Sequence, residues 1–167
     1  MPEQATRERA AKAKREGKAP TTQAGEYVRE EIEHIREGKH GARSAKQAIA
    51  IGLSKARRAG VKLPKPPASA TERTKQSAAS AERAAKRGPK RPSRARARAA
   101  ERALKREGKA AASKTALSRH ATAAAKRRSA SARSASAMKA VRTKGPRVRK
   151  AAARKAAKTR RRRAATA

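Results

Sequence analysis

Large apolar side chains crowd into one stretch of the chain. Between Gly25 and Val61 (GEYVREEIEHIREGKHGARSAKQAIAIGLSKARRAGV) stand Tyr27, Val28, Ile32, Ile35, Ile49, Ile51 and Leu53, while both flanks are mostly Ala, Lys, Arg, Ser and Thr. Val28, Ile32 and Ile35 recur at helical spacing over residues 26–37, with glutamates in the first turn where they complement the helix dipole, and Gly38 supplies a stop. A second helix is predicted from Ser44, with Gln47 three residues on as a capping box, to about Ala59, with Gly60 as its terminal glycine. Ala45, Ile49, Gly52, Leu53 and Ala56 share one face of it, while Lys46, Lys55 and Arg57 lie mostly away. The two helices, joined by GKHGAR, predict a hairpin over residues 25–61. Ile51 falls on its far side, which suggests a contact either with a neighbouring helix or, in a weak homo-oligomer, with another subunit.

The flanks lack such a pattern. Residues 5–16 read as a short helix inside a basic N-terminal arm (1–24), with Gly17 as its stop. KLPKPP at 62–67 cannot continue a helix and reads as a semi-rigid linker. In the tail, 68–167, the segments 69–87, 93–107 and 113–143 are Ala-rich and helix-favouring, broken by GPKRP at 88–92 and by Gly145-Pro146, and none has a stripe wide enough to bury. The expected fold is mostly α, a small helical hairpin flanked by long basic arms that are largely disordered, or helical once their charge is neutralised. Arg-Glu-Gly-Lys occurs at 15–18, 36–39 and 106–109. The third copy precedes Ser113, Ala116 and Leu117, an echo of Ser44, Ala48 and Ile49 that suggests a degenerate second hairpin over 93–128.

Charge changes the picture most. The 167 residues hold 49 Lys and Arg against 12 acids, a net of +37, with one Tyr, no Phe or Trp and no Cys. So few large apolar groups can hold one small helical unit, because burying an Ile or Leu contributes about 1.5–3 kcal/mol while ordering each residue costs about 1–2 kcal/mol. Residues 25–61 carry eight Lys and Arg and five acids, whereas 68–167 carry 33 against four. Such density needs a polyanion, and nucleic acid is the expected partner, DNA ahead of RNA. No run of apolar residues spans a membrane and no secretory leader is visible, so no membrane partner is expected and the location is read as cytoplasmic, at the nucleoid.

Chemistry-bearing motifs are few. Glu31 and His34 form Glu-x-x-His on one helix, but dimetal bundles need further carboxylate helices, so a solvated face and no metal are expected. His40 and His120 have no nucleophile or carboxylate partner in sequence, and no phosphate loop or dinucleotide fingerprint occurs, so neither an enzyme nor a cofactor is expected. Lys39, His40 and Arg43 precede the amides at the start of the second helix, a place suited to a phosphate, and Lys46 and Gln47 would face bases if that helix entered a groove. In the tail, Lys150, Arg154, Lys155, Lys158, Arg160, Arg161, Arg162 and Arg163 are set to neutralise phosphates without reading sequence. The absence of stacking aromatics argues against single-strand readers. An RNA- or ribosome-associated role for the same arms is one alternative, and an adaptor docking a protein partner through Glu30, Glu31 and Glu33 is another.

REGKHGARSAKQAIAIGLSKARRAG resembles a family of small basic bacterial proteins whose domain of unknown function carries a KQAIAIGLS-like signature. REGKAAASKTALSRHATAAAKRR looks like a second segment of its longer members. The resemblance implies no activity. ARKAAKTRRRRAATA is similar to the tails of histone H1-like nucleoid proteins, which implies DNA coating.

Overall fold

The computed structural model describes residues 2–88 and 93–165, all helix, turn or coil with no strand among them. Most of the GPKRP break therefore lies outside the described residues. The helices are α1 (Gln4–Arg15), α2 (Pro20–Glu37), α3 (Ala45–Arg58), α4 (Glu72–Arg87), α5 (Arg94–Lys105), α6 (Lys114–Lys126) and α7 (Ala130–Ala164), with a 3-10 turn at Ala110–Ala112. The chain divides into two units, Met1–His120 and Ala121–Ala167, the division falling within α6.

In the first unit α2 and α3 pack on each other, as their apolar stripes predict. Gly38 closes α2 in the left-handed conformation (φ 82°), its N–H donating to the Ile35 carbonyl and that of Lys39 to the His34 carbonyl. This is the double backbone closure that glycine permits at a helix end. Ser44 Oγ accepts the Gln47 amide at 3.2 Å, and Gln47 Oε1 accepts the Arg43 amide at 2.9 Å, one residue earlier than a standard capping box. The face α3 buries is rotated from the expected one. Ala45, Ala48, Gly52 and Ala56 are buried, while Ile49 and Leu53 are half-covered.

The cause is Gly52, where a Cβ would stand 2.6 Å from Val28 Cα. The two backbones approach there as no larger residue allows. Gly52→Ala is accordingly expected to destabilise by about 1–3 kcal/mol, the cost of overpacking. Helix propensity alone would favour Ala by up to about 1 kcal/mol. Gly25→Ala, on α2 with nothing within 4 Å of the new methyl, should instead stabilise. Urea melts in which the two substitutions shift the midpoint the same way would refute the close approach.

The flanks join the fold more than their composition suggests. α1, read from sequence as part of an arm, packs on α2 with Thr6, Ala10 and Ala13 buried, and α2 starts at Pro20, so the end of that arm before Gly25 is helical as well. α4 packs on α3 through the buried Ala78 and Ala81. Alanine is small enough to bury on a narrow stripe, which is why no wide apolar pattern announced either helix. One core cluster joins Ala10, Ala24, Tyr27 and Ala56, with Leu53, Val61 and Leu63 against it, and burial raises the Tyr27 pKa. A second joins Ile35, Ala42 and Ala48 to Ala111 and Ala112.

That second cluster replaces the expected hairpin over 93–128. The segment around the third Arg-Glu-Gly-Lys, residues 104–112, docks instead on the α2–α3 loop, where the Gly41 amide donates to Leu104 O (2.9 Å), the Ala42 amide to Gly108 O (3.2 Å) and Arg36 Nε to Ala112 O (2.9 Å). A Cβ on Gly41 would fall on the Glu107 carbonyl oxygen. Only glycine lets these backbones meet.

α5, α6 and α7 bury no residue. Their helices rest on Ala, Lys and Arg propensity and on side-chain caps, Ser113 Oγ accepting the Ala116 amide and Ser129 Oγ the Ala132 amide. α7 breaks at Gly145 (φ 64°, ψ 171°) before Pro146, as Gly-Pro predicts. No helix of the described residues is long and apolar enough to cross a membrane.

Candidate nucleic-acid interface and a buried charge cluster

The acids of α2 are all answered from within the chain. Glu26 pairs with Arg9 (2.9 Å), Glu33 with Arg29 (2.9 Å), Glu37 with Lys39 (3.0 Å), and Glu30 and Glu31 with Lys55 (3.3 and 2.6 Å). Glu30 and Glu31 are 1% and 0% exposed. Glu31 thus lies on no solvated face, and two of the three carboxylates considered for docking a partner are turned inward. Glu30 Oε2 also accepts the Glu3 amide at 3.1 Å, which ties the start of α1 to α2.

Around Glu31 the loop and both helices converge. His40 Nε2 stands 3.1 Å from Glu31 Oε1, and the His40 and His34 rings meet edge to face at 6.2 Å. His34 Nε2 is 2.8 Å from Glu3 Oε1. This hydrogen bond, then that of Lys39, holds the Glu3 carboxyl below its ordinary range, while the Lys39 ammonium is raised, chiefly by Glu37.

The residues proposed from sequence for a phosphate at the start of α3 are mostly occupied here. Lys39 bridges Glu37 and Glu3, His40 faces Glu31, and the amides of Gly41, Ala42, Arg43 and Gln47 all donate to protein acceptors. The side chains of Arg43 and Lys46 remain exposed. Of the two candidate base readers, Lys46 is exposed and Gln47 caps its own helix. Lys55, placed on the solvent side by the sequence pattern, is the residue that reading missed. Its signal is Glu31 itself, an acid in the middle of the Tyr27-to-Ile35 stripe, where a buried charge requires a partner.

The tail differs in composition. No acidic residue lies beyond Glu107, and the sixty residues after it hold 20 Lys and Arg. Lys150, Arg154, Lys155, Lys158 and Arg160 to Arg163 all stand on α7 beyond the Gly145 break. Helical geometry places Arg147, Lys150, Arg154, Lys158 and Arg161 in one row at i, i+3 and i+4 spacing. The row is about 21 Å long, from a rise of about 1.5 Å per residue, with Ala152 and Ala156 on the other side. Arg161, Arg162 and Arg163 occupy the last turn, where cations complement the helix dipole.

Residues 9–66 match a family of unknown function, DUF6496, a match that spans the second half of α1, all of α2 and α3, and the buried charge cluster other than Glu3. No curated protein and no solved structure matches the chain.

Proposed function

We propose that this protein coats duplex DNA without reading its sequence, as a histone-like, nucleoid-associated protein: a small helical hairpin with packed flanking helices carries a basic arm that neutralises phosphates. The observation that carries this reading is the segregation of charge. The acids of α2 are paired within the folded unit, and the arm beyond Glu107 has 20 cations and no carboxylate side chain. Those cations repel one another along α6 and α7, and a polyanion relieves the repulsion. The arm helices, which bury nothing, gain stability when it does so. The protein's role is binding, not catalysis.

DNA is favoured over RNA because phosphate rows suit a helix bearing cations and alanines, with no aromatic side chain in the arm to stack on splayed bases. Affinity should follow salt. If ten phosphates are neutralised, the slope of log affinity against log salt is about −9. Duplexes of unrelated sequence, compared at one ionic strength, should then bind within about threefold of each other, where specific readers separate sites by about 10³ or more. A selection from random duplexes that returned a defined motif would refute the proposal, as would tighter binding to structured RNA at equal length and salt.

A further inference from the structure

We propose that Glu31, His34 and His40 form a binding site for a borderline divalent transition ion of the Zn²⁺ class, which pins the α2–α3 loop to α2. The inference is independent of nucleic-acid binding. Among the described residues these three are the group whose ligand atoms approach closely enough, all within 4.8 Å of one another. Around an ion with bonds of about 2.0–2.1 Å, tetrahedral ligand atoms stand roughly 3.4 Å apart. Side-chain rotations of about an ångström would close the set.

Three features distinguish this cluster from an ordinary ion-pair network. The first is direction. Glu31 Oε1 is buried without a hydrogen-bond partner, although His40 Nε2 lies only 3.1 Å from it, while Oε2 meets the Lys55 ammonium at 2.6 Å. A donor and acceptor at that distance normally aim at each other, whereas two ligands aim their lone pairs at a third point. The second is the state of the His40 ring, whose Nδ1 stands 3.2 Å from the Gly41 carbonyl oxygen. A carbonyl only accepts, so Nδ1 carries the proton, and in the neutral ring Nε2 presents a lone pair to a carboxylate. Lone pairs so placed call for a cation between them.

The third is the surrounding shell. Lys55 Nζ, 2.6 Å from Glu31 Oε2, holds the oxygen away from the histidines and leaves Oε1 to the ion. Glu3 Oε1, 2.8 Å from His34 Nε2, is the carboxylate partner that metal-bound histidines commonly have. Two imidazoles and one carboxylate suit Zn²⁺, Co²⁺ or Ni²⁺ rather than Ca²⁺ or Mg²⁺, which prefer all-oxygen shells. The His34 and His40 side chains are 14% and 15% exposed, so the site is covered yet open at its histidine edge.

The three histidines of the chain allow a test without mutation, because His120 serves as an internal control. The full-length protein, labelled with ¹⁵N and stripped with chelator, is titrated with Zn²⁺ in a buffer free of phosphate while the imidazole resonances are followed by NMR. The expected result is that the His34 and His40 rings shift together and saturate at one ion per chain, with His120 unmoved at that ratio. Zn²⁺ should also raise the melting temperature of the wild type and not that of a His34→Gln, His40→Gln double variant. Rings that do not respond through one equivalent, or all three shifting in parallel, would overturn the site. So would an unchanged Zn²⁺ stoichiometry in the double variant. Should that variant fail to fold, the wild-type titration decides alone.

Discussion

A chain ending at His120 is expected to keep its folded unit and lose at least about 100-fold in duplex affinity near physiological salt. The residues removed carry 17 of the 49 Lys and Arg and none of the 12 acids. They include the whole of α7 with its row from Arg147 to Arg161. Each phosphate contact contributes about 0.9 to the salt slope, so removal of ten contacts should flatten it by about 9. What stays behind has a different character: 32 Lys and Arg share residues 1–120 with every acid of the chain, several held in ion pairs. Residual binding should therefore be weak and shallow in salt. Two measurements decide the matter. Circular dichroism on the truncated chain should retain the helices α1 to α4, and salt-titrated binding should show the reduced slope. A truncated chain that binds within threefold of the full one, on the same slope, would place the interface in the folded unit and remove the main support for an arm that coats DNA.

The helical class and the two central helices were legible because a stripe of large side chains at helical spacing has few other readings. Their ends were legible for a different reason. Gly38, Gly60 and the Ser44 cap are local chemistry, and local chemistry survives packing. What was hidden depended on small residues. Ala10, Ala78, Ala81, Ala111 and Ala112 are buried, yet an alanine in an alanine-rich chain carries no mark of burial. Gly52 and Gly41 had the same effect, because they allow close backbone approaches that only coordinates reveal. The rotation of α3 toward Ala48 and Gly52 followed from this, and it brought Lys55 to the buried edge. Glu31 could have been found. It stands at i+4 from Tyr27 and i−4 from Ile35, and counting Tyr27 into the stripe places the carboxylate at its centre. Reading Val28, Ile32 and Ile35 alone put it on the solvent side.

Lys55→Met should be the most damaging single substitution in the folded unit, costing about 3–5 kcal/mol. The reasoning starts from burial. Glu30 and Glu31 have side chains 1% exposed, and the Lys55 ammonium, 22% exposed, lies within 3.3 Å of both. Two neighbouring carboxylates repel, and without the ammonium they must be desolvated with only the Glu3 amide, donating to Glu30, to answer them. A small domain is stable by about 5–15 kcal/mol, so the loss would take much of its margin. Methionine keeps the length and apolar stem of lysine, which confines the effect to charge. The converse change is equally informative. Adding Glu30→Leu and Glu31→Leu to Lys55→Met replaces the charges by apolar groups of similar size, and such replacement is commonly neutral or stabilising. The triple variant should therefore melt close to the wild type, while binding duplex DNA as before through the arm. Melts should be run with chelator present, so that no cation at Glu31 stands in for the missing ammonium. A Lys55→Met chain melting within about 0.5 kcal/mol of the wild type would show that the two glutamates are satisfied without Lys55, and that the pairing of Lys55 with Glu30 and Glu31 adds little to the fold.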